Sequence, residues 1–365
     1  MISYTQLTTV FFLTICSTFL QAEPYRIVAF GDFGEQDQST QLLVRNSIQE
    51  YAIDHPLSLG FFLGDNFYPY GVSDVNDPQF QNKIVDIYEP LQIPFFAVLG
   101  NHDYGDTLHP GNVEAQVEFT DHPMNPIIDI SGHSERLWHM PARFYTQRIN
   151  PSLGADLEVF ALDTELANPQ AKLDGTGVSW KHQMEDLEAA LYSSTAKWKI
   201  VIGHHPIVSD YQRVDNESYQ QRTNMKLLKN LIIKYAHAYI AGHDHSLQVL
   251  PLRGYRCSNQ RYREPLQVIS GAAGNHDLIQ KFSKNNSIFK GNDNAIGFIV
   301  LEVKDNSLDF IPVQVEDEAP IEKDRISIDI NGHIIEQHHS LDIRHHSLFD
   351  PHHSSEQLFL YDQLC

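Results

Sequence analysis

The chain has 365 residues, 42% of them hydrophobic and 11% aromatic. That is enough apolar material for a large packed core, and it excludes a disordered chain or a small disulfide-stapled scaffold. With 26 Lys and Arg against 47 Asp and Glu, the net charge of -21 excludes a general polyanion binder held by phosphate contacts.

From the N-terminus, the stretch from Thr8 to Leu20 is apolar and stops at Gln21-Ala22. At about 13 residues it is too short to cross a bilayer, which needs roughly 20, so residues 1–22 read as a signal peptide. A buried N-terminal segment or an uncleaved anchor is the competing reading. Short β-branched runs come next, at Ile27 to Phe30, Leu57 to Leu63, Pro94 to Leu99, Leu157 to Leu162, Trp198 to Ile202 and Ala238 to Ala241. Helical spacing separates several of them, at Gln41 to Tyr51, Val85 to Tyr88, Trp180 to Tyr192 and Tyr219 to Tyr235. Such alternation predicts an α/β sheet. Further strands without clear helices, at Leu247 to Pro251, Leu266 to Ser270, Gly297 to Val303 and Leu308 to Val313, predict an antiparallel continuation and a layered sandwich. Long loops are expected from Gly105 to Arg143 and from Asn168 to Gly177, and a last hairpin from Ile326 to Ile335. The chain divides into a leader over 1–22, a main domain over 23–320 and a C-terminal extension over 321–365. That extension ends in a tail with three His-His pairs, which reads either as a polar terminus or as a loose metal-binding tract.

The residues at the ends of the predicted strands carry the chemistry. Gly31-Asp32-Phe33-Gly34, Gly64-Asp65-Asn66-Phe67-Tyr68, Gly100-Asn101-His102-Asp103, Gly203-His204-His205 and Gly242-His243-Asp244-His245 each sit where a strand should end. In open α/β sheets, loops at the C-terminal edge converge on ligands. Glycine before each polar residue is expected to let the backbone turn sharply. Carboxylates, imidazoles, an amide oxygen and a phenol are the donors a two-metal site requires, since one carboxylate can bridge two cations. One GD or GNH turn alone is commonly an ordinary loop, but the ordered set points to a metal centre. Twenty histidines agree with it.

The order D-x-G, G-D-x-x-Y, G-N-H-D, V-x-x-H, G-H-x-H resembles that of the calcineurin-like metallophosphoesterases, and Tyr68 makes it similar to the purple acid phosphatase pattern. Gly111 to Gln116, Trp138 to Tyr145, Phe160 to Thr164 and Ile240 to Leu250 resemble the small tartrate-resistant acid phosphatases. The resemblance implies a four-layer αββα sandwich with the active site at strand C-terminal ends. It also implies a ferric ion held by Asp32, Asp65, Tyr68 and His245, and a second metal, iron, zinc or manganese, held by Asp65, Asn101, His204 and His243, with Asp65 bridging. His102 would face substrate as its catalytic acid. The implied activity is hydrolysis of phosphate monoesters by a metal-bound hydroxide at acid pH, because a metal lowers the pKa of bound water from 15.7 to about 7. A phosphodiesterase or nucleotide phosphohydrolase is the alternative. The expected protein is a monomer acting on small phosphate esters, without a nucleic-acid partner or a membrane segment after signal removal. It is expected to be secreted or periplasmic, or lysosomal or extracellular in a eukaryote.

Some features depart from the pattern. Gly274-Asn275-His276-Asp277 repeats a motif out of order and reads as a loop near the site. His205 replaces the family's usual aromatic residue and would touch either substrate or a neighbouring loop. Asn168 to Gly177 matches in position a repressive loop of tartrate-resistant enzymes, or is a plain connector. Asn216 and Asn285 fit the glycosylation acceptor pattern, and Cys257 and Cys365 are free to pair after export.

Overall fold

The computed structural model describes residues 24–35, 37–130, 133–149, 155–169, 179–211, 218–253, 264–274, 286–292 and 295–338. The leader, Cys257, Cys365, Asn216, Asn285, most of the 168–177 loop, residues 275–277 and the paired histidines of the tail from His339 onward lie outside them. In chain order the strands are β1 (Tyr25–Phe30), β2 (Leu59–Phe62), β3 (Phe95–Ala97), β4 (Ile127–Ile130), β5 (His133–Arg136), β6 (Trp138–His139), β7 (Tyr145–Arg148), β8 (Leu157–Ala161) and β9 (Trp198–Ile202). They continue with β10 (Ala238–Ala241), β11 (Leu247–Pro251), β12 (Leu266–Ser270), β13 (Phe289–Lys290), β14 (Gly297–Val303), β15 (Ser307–Glu316), β16 (Ala319–Glu322), β17 (Arg325–Asp329) and β18 (Ile334–His338).

Two sheets result. The first has the order β18-β17-β15-β14-β1-β2-β3-β6, with β16 on β15, and the second β13-β11-β12-β10-β9-β8-β7. Within the first, β1, β2, β3 and β6 are parallel. In the second, β8, β9, β10 and β12 are parallel. The antiparallel strands are added at the flanks, as β14 on β1 and β11 on β12.

The period-2 alternation of strands sorts the core into layers. Ile27 and Ala29 of β1 pack with Leu157, Val159, Ile200, Ile202 and Ile240 of the second sheet, so the two sheets share one core. Val28 and Phe30 point the other way, against Val44, Ile48 and Tyr51 of the helix Ser39–Asp54. On the far side, Phe160, Val201 and Tyr239 pack under the helices Trp180–Ser193 and Tyr219–Tyr235. The molecule is therefore the four-layer αββα sandwich. Each fully buried aliphatic in these layers contributes roughly 1.5–3 kcal/mol. Ser179 and Ser218 start the two outer helices by accepting from the backbone N–H of His182 and Gln221.

The stretch from Gly105 to Arg143 is not a long loop. It holds the helix Val113–Glu118, begun by the Asn112 side chain, the hairpin β4–β5, and β6, which extends the first sheet. Phe119 and Trp138 anchor it in the core, and Asn125 takes the place of a strand partner by bonding the Trp138 backbone N–H at 3.0 Å and carbonyl at 2.8 Å. Two-residue strands held by a side-chain amide leave no periodic signal in sequence. The expected hairpin near the C-terminus forms as β17–β18, and β16 spans residue 320 while pairing with β15. Among the described residues no helix is long and apolar enough to cross a membrane.

Candidate metal centre

Three loops from each sheet meet at one edge. Asp32 follows β1, Asp65 follows β2 and Asn101 follows β3, while Asp163, His204 and His243 follow β8, β9 and β10. Hydrogen bonds between and within the sheets fix the loop bases: Gly31 N–H donates to Ser270 O of the second sheet at 2.8 Å and Asp32 N–H to Gly64 O of the first at 3.0 Å. The backbone is left-handed at Asp32, Asp65 and His243, with φ of 60°, 51° and 66°. Asp and His tolerate that region at some strain, which such sites characteristically hold. The glycines therefore serve a different purpose from the one expected. Of the motif glycines only Gly64 has positive φ. Gly100 and Gly242 are needed for close approach, because a Cβ there would lie 2.3 Å from Asp65 Oδ1 and 2.6 Å from Asp32 Oδ2 respectively.

The side chains converge on two neighbouring points. Asp65 Oδ2 lies 2.9 Å from the Tyr68 hydroxyl and 3.4 Å from His204 Nε2. Asp32 Oδ1 lies 3.4 Å from both the Tyr68 hydroxyl and His245 Nε2. On the other side of Asp65, His204 Nε2 is 3.2 Å from Asn101 Oδ1 and 3.2 Å from His243 Nδ1. His102 is held beside them: its backbone N–H donates to Asp65 Oδ1 at 2.8 Å, its ring lies 4.1 Å from that of Tyr68, and its Nδ1 lies 2.9 Å from Pro69 O. All eight residues singled out in the sequence are thus in one cluster.

The donor chemistry fits cations. His204 Nδ1 lies 2.8 Å from the Leu63 carbonyl, which can only accept, so the proton sits on Nδ1 and the Nε2 lone pair enters the cluster. There it meets Asn101 Oδ1, Asp65 Oδ2 and His243 Nδ1, all able to supply lone pairs. Burial disfavours charge on His204, yet the Asp65 carboxylate raises it to about 10. Burial also opposes ionisation of Asp65, but His204, with His102 and His243, holds it below the ordinary carboxylate range. Both directions say that positive charge at Nε2 is favoured, as a proton in the metal-free pocket and as a metal ion otherwise.

Sequence reasoning passes over the groups that hold these ligands. Asp103 accepts N–H bonds from Gly100 at 2.8 Å, Asn66 at 3.1 Å and Phe67 at 3.2 Å, so one carboxylate clamps the Asp65 and Asn101 turns together. Burial and the charge of Asp65 push its pKa up to about 7, against the pull of those donors. Thr164 Oγ1 accepts from the backbone N–H of His204 at 3.1 Å and of His205 at 2.9 Å. Asn66 and Asp103 stand inside the motifs themselves, so their positions are the available signal. His205 is 2% exposed, with Nδ1 2.9 Å from Thr164 Oγ1 and Nε2 3.4 Å from Glu165 Oε2, and so engages the neighbouring loop. Burial pushes Glu165 up to about 7 and Asp163 to about 6.

Comparison with known proteins accords with this geometry. Tartrate-resistant acid phosphatase type 5 of Mus musculus is 30% identical over 248 residues, covering 62% of this chain and 68% of that protein. Purple acid phosphatase 17 of Arabidopsis thaliana is 30% identical over 237 residues, covering 60% of this chain and 62% of its own length. Among solved structures, one titled GAP50, the anchor in the inner membrane complex of Plasmodium, shares the fold with a TM-score of 0.60 at 21% identity, covering 86% of this chain and 88% of that one. The structure of PhoD shares it with a TM-score of 0.54 at 13% identity, covering 86% and 72%. The profile of the calcineurin-like phosphoesterases matches residues 25–247, from β1 past His245 and so across all eight site residues, and the chain belongs to that family.

Proposed function

We propose that the protein is an acid phosphatase that hydrolyses phosphate monoesters at a dinuclear metal centre. The observation that carries this reading is the convergence of Asn101 Oδ1, Asp65 Oδ2 and His243 Nδ1 on Nε2 of His204, next to the Asp32–Tyr68–His245 group. Asp32, Asp65, Tyr68 and His245 would hold a ferric ion, and Asp65, Asn101, His204 and His243 a divalent iron, zinc or manganese, with Asp65 shared. Bound there, the pair supplies Lewis acidity and acidified water. Tyr68, 4% exposed, would supply a phenolic oxygen in a nearly dry setting, a choice of ligand that favours a trivalent ion. His102 is fixed by the Pro69 carbonyl at Nδ1, which leaves Nε2 to hold the proton that the departing alkoxide needs. Residues 1–22 would direct export of a monomeric enzyme to an acidic or extracellular compartment.

The test is the pH profile of monoester against matching diester hydrolysis by the purified protein, together with Asp65→Asn. Monoester turnover with an acid optimum is expected. Asp65→Asn is expected to lose activity by on the order of 10³ and to release metal, because the bridging charge is gone. Preference for the diester near neutrality would instead favour the phosphodiesterase reading, and full metal content with full activity in Asp65→Asn would overturn the ligand assignment.

A further inference from the structure

We infer that Lys83 is a positioning residue for the first metal position: its buried ammonium ties the Asp32 turn to the Tyr68 turn, so that the phenol meets both carboxylates. This rests on the reading of Tyr68 as a ligand given above. Lys83 Nζ donates to Gly34 O at 2.7 Å and to Tyr68 O at 3.2 Å. Gly34 lies two residues beyond Asp32, and Tyr68 three beyond Asp65. One cation therefore spans the segments that carry Asp32, Asp65 and Tyr68.

A lysine placed so deep needs a reason. Charged side chains are almost never fully buried unless paired, and Lys83 is 7% exposed. Burial pulls its pKa down, and the charges of Glu35, Asp77 and Asp103 oppose that pull. Both hydrogen bonds above go to main-chain carbonyls, so what the ammonium fixes is the course of the backbone. Its own placement is built in turn. Lys83 stands in a π-helical turn, Phe80–Val85, in which Asp86 N–H reaches back to Gln81 O; such turns are rare and recur at functional sites. Phe80, Ile84 and Val85 of that turn pack into the core. From the helix Ser39–Asp54, the buried Gln41 donates to Lys83 O at 2.9 Å and sets the main chain from which the ammonium extends.

What this arrangement secures is the phenol. Tyr68 N–H donates at 2.9 Å to Gly34 O, the same oxygen that takes Lys83 Nζ. Gly34 lies directly on the other turn, where a Cβ would come within 2.0 Å of Asn66 O. The two turns thus touch, and the ammonium pins a carbonyl of each at their junction. The Tyr68 hydroxyl stands at the far end of a rigid ring, 2.9 Å from Asp65 Oδ2 and 3.4 Å from Asp32 Oδ1, so a small tilt of the main chain is magnified there. Groups that orient metal ligands in this way change metal affinity roughly 10–100-fold when removed.

The experiment reads metal rather than turnover, in the full metal-loaded chain and in Lys83→Met, Lys83→Gln and Ile84→Ala. Iron retained against rising chelator is measured by elemental analysis, and the visible phenolate-to-iron(III) absorption band is recorded on the same samples. Lys83→Met keeps the length of the side chain without its charge. It is expected to release iron at roughly tenfold lower chelator and to weaken or shift the band. Lys83→Gln, whose shorter amide retains a donor, should fall between it and the native chain. Ile84→Ala opens a cavity beside Lys83 without touching either carbonyl, and is expected to lower the melting temperature while leaving the band in place. Where Lys83→Met fails to fold, Lys83→Gln against Ile84→Ala decides. An unchanged band and iron retention in the folded Lys83 variants, or equal changes in Ile84→Ala, would overturn the inference and leave the phosphatase reading intact. A native metal-loaded chain without the band would overturn Tyr68 as a ferric ligand, and the inference with it.

Discussion

At the scale of single residues, the site depends on how closely the backbone approaches its own ligands. Asp32, Asp65 and His243 all take left-handed backbone, which directs their side chains back over the sheet edge. That conformation is invisible in sequence, where the adjacent glycines look like the residues that turn. Gly64, at φ 87°, does turn, while Gly100 and Gly242 provide room. Gly242 is the sharpest case: a Cβ there would meet Asp32 Oδ2 at 2.6 Å and Leu63 O at 2.9 Å. Neither can retreat, since Asp32 Oδ2 already accepts from His243 N–H at 2.8 Å and Leu63 O faces His204 Nδ1 at 2.8 Å. Gly242→Ala is therefore expected to fold with a loss of about 1–3 kcal/mol from overpacking. Displacing Asp32 should at the same time lower activity by at least about a hundredfold, by analogy with removal of one preorganised polar group. Denaturant titration and metal analysis of the same preparation check this; near-native metal content and rate would show that Asp32 moves without consequence.

At the scale of elements, the strand-end turns are tied to one another before they are tied to any metal. Asp103 is the knot. Its oxygens accept from the N–H groups of Gly100, Asn66 and Phe67, donors that favour the carboxylate against the burial and the Asp65 charge that push its pKa up to about 7. Asp103→Asn turns an amide NH₂ toward those donors, and we expect a loss of about 2–3 kcal/mol with weakened metal retention, because the turns bearing Asp65 and Asn101 loosen. A melting temperature and metal affinity equal to those of the native protein would show that the clamp is dispensable. The elements around this clamp are legible in sequence to different degrees. Strands such as β1, β9 and β10 each finish in an apolar run followed directly by Gly, and the pattern announces them. The insertion after Gly105 reads as loop because its order comes from Asn125 bonding to Trp138 and from buried Phe119, contacts that no local periodicity encodes. The site ligands are legible because each sits at a strand end, whereas Thr164, which holds His204 and His205, stands in a loop with no motif of its own.

At the scale of the whole molecule, the site straddles two sheets, so whatever locks the first sheet also holds half of the ligands. β1, which leads to Asp32, is bounded by β14, β15 and β17, and these are joined by one buried charge cluster. Glu302, 4% exposed, is 2.8 Å from Arg26 Nε, 2.6 Å from Arg325 Nη1 and 3.2 Å from Lys304 Nζ. It links β1, β14 and β17, that is, the first strand of the fold and one of the last. Burial alone would raise the pKa of Glu302, but the two guanidiniums and the ammonium outweigh it and bring it from an ordinary 4.5 to about 2. A folded value below the unfolded one means stability that is complete above about pH 4.5 and is lost as the pH falls toward 2. In mildly acid surroundings this anchor stays ionised, and it is given up only at stronger acidity. We expect the native protein to lose melting temperature steeply between about pH 4.5 and 2.5, the window set by this linkage. Glu302→Gln, less stable at neutral pH because Arg26, Arg325 and Lys304 lose the carboxylate they share while Asp309 stays beside Arg325 and Lys304, should show a shallower decline over the same range. Parallel declines in the two proteins would place the acid sensitivity elsewhere and leave Glu302 a structural partner without a role in the pH dependence.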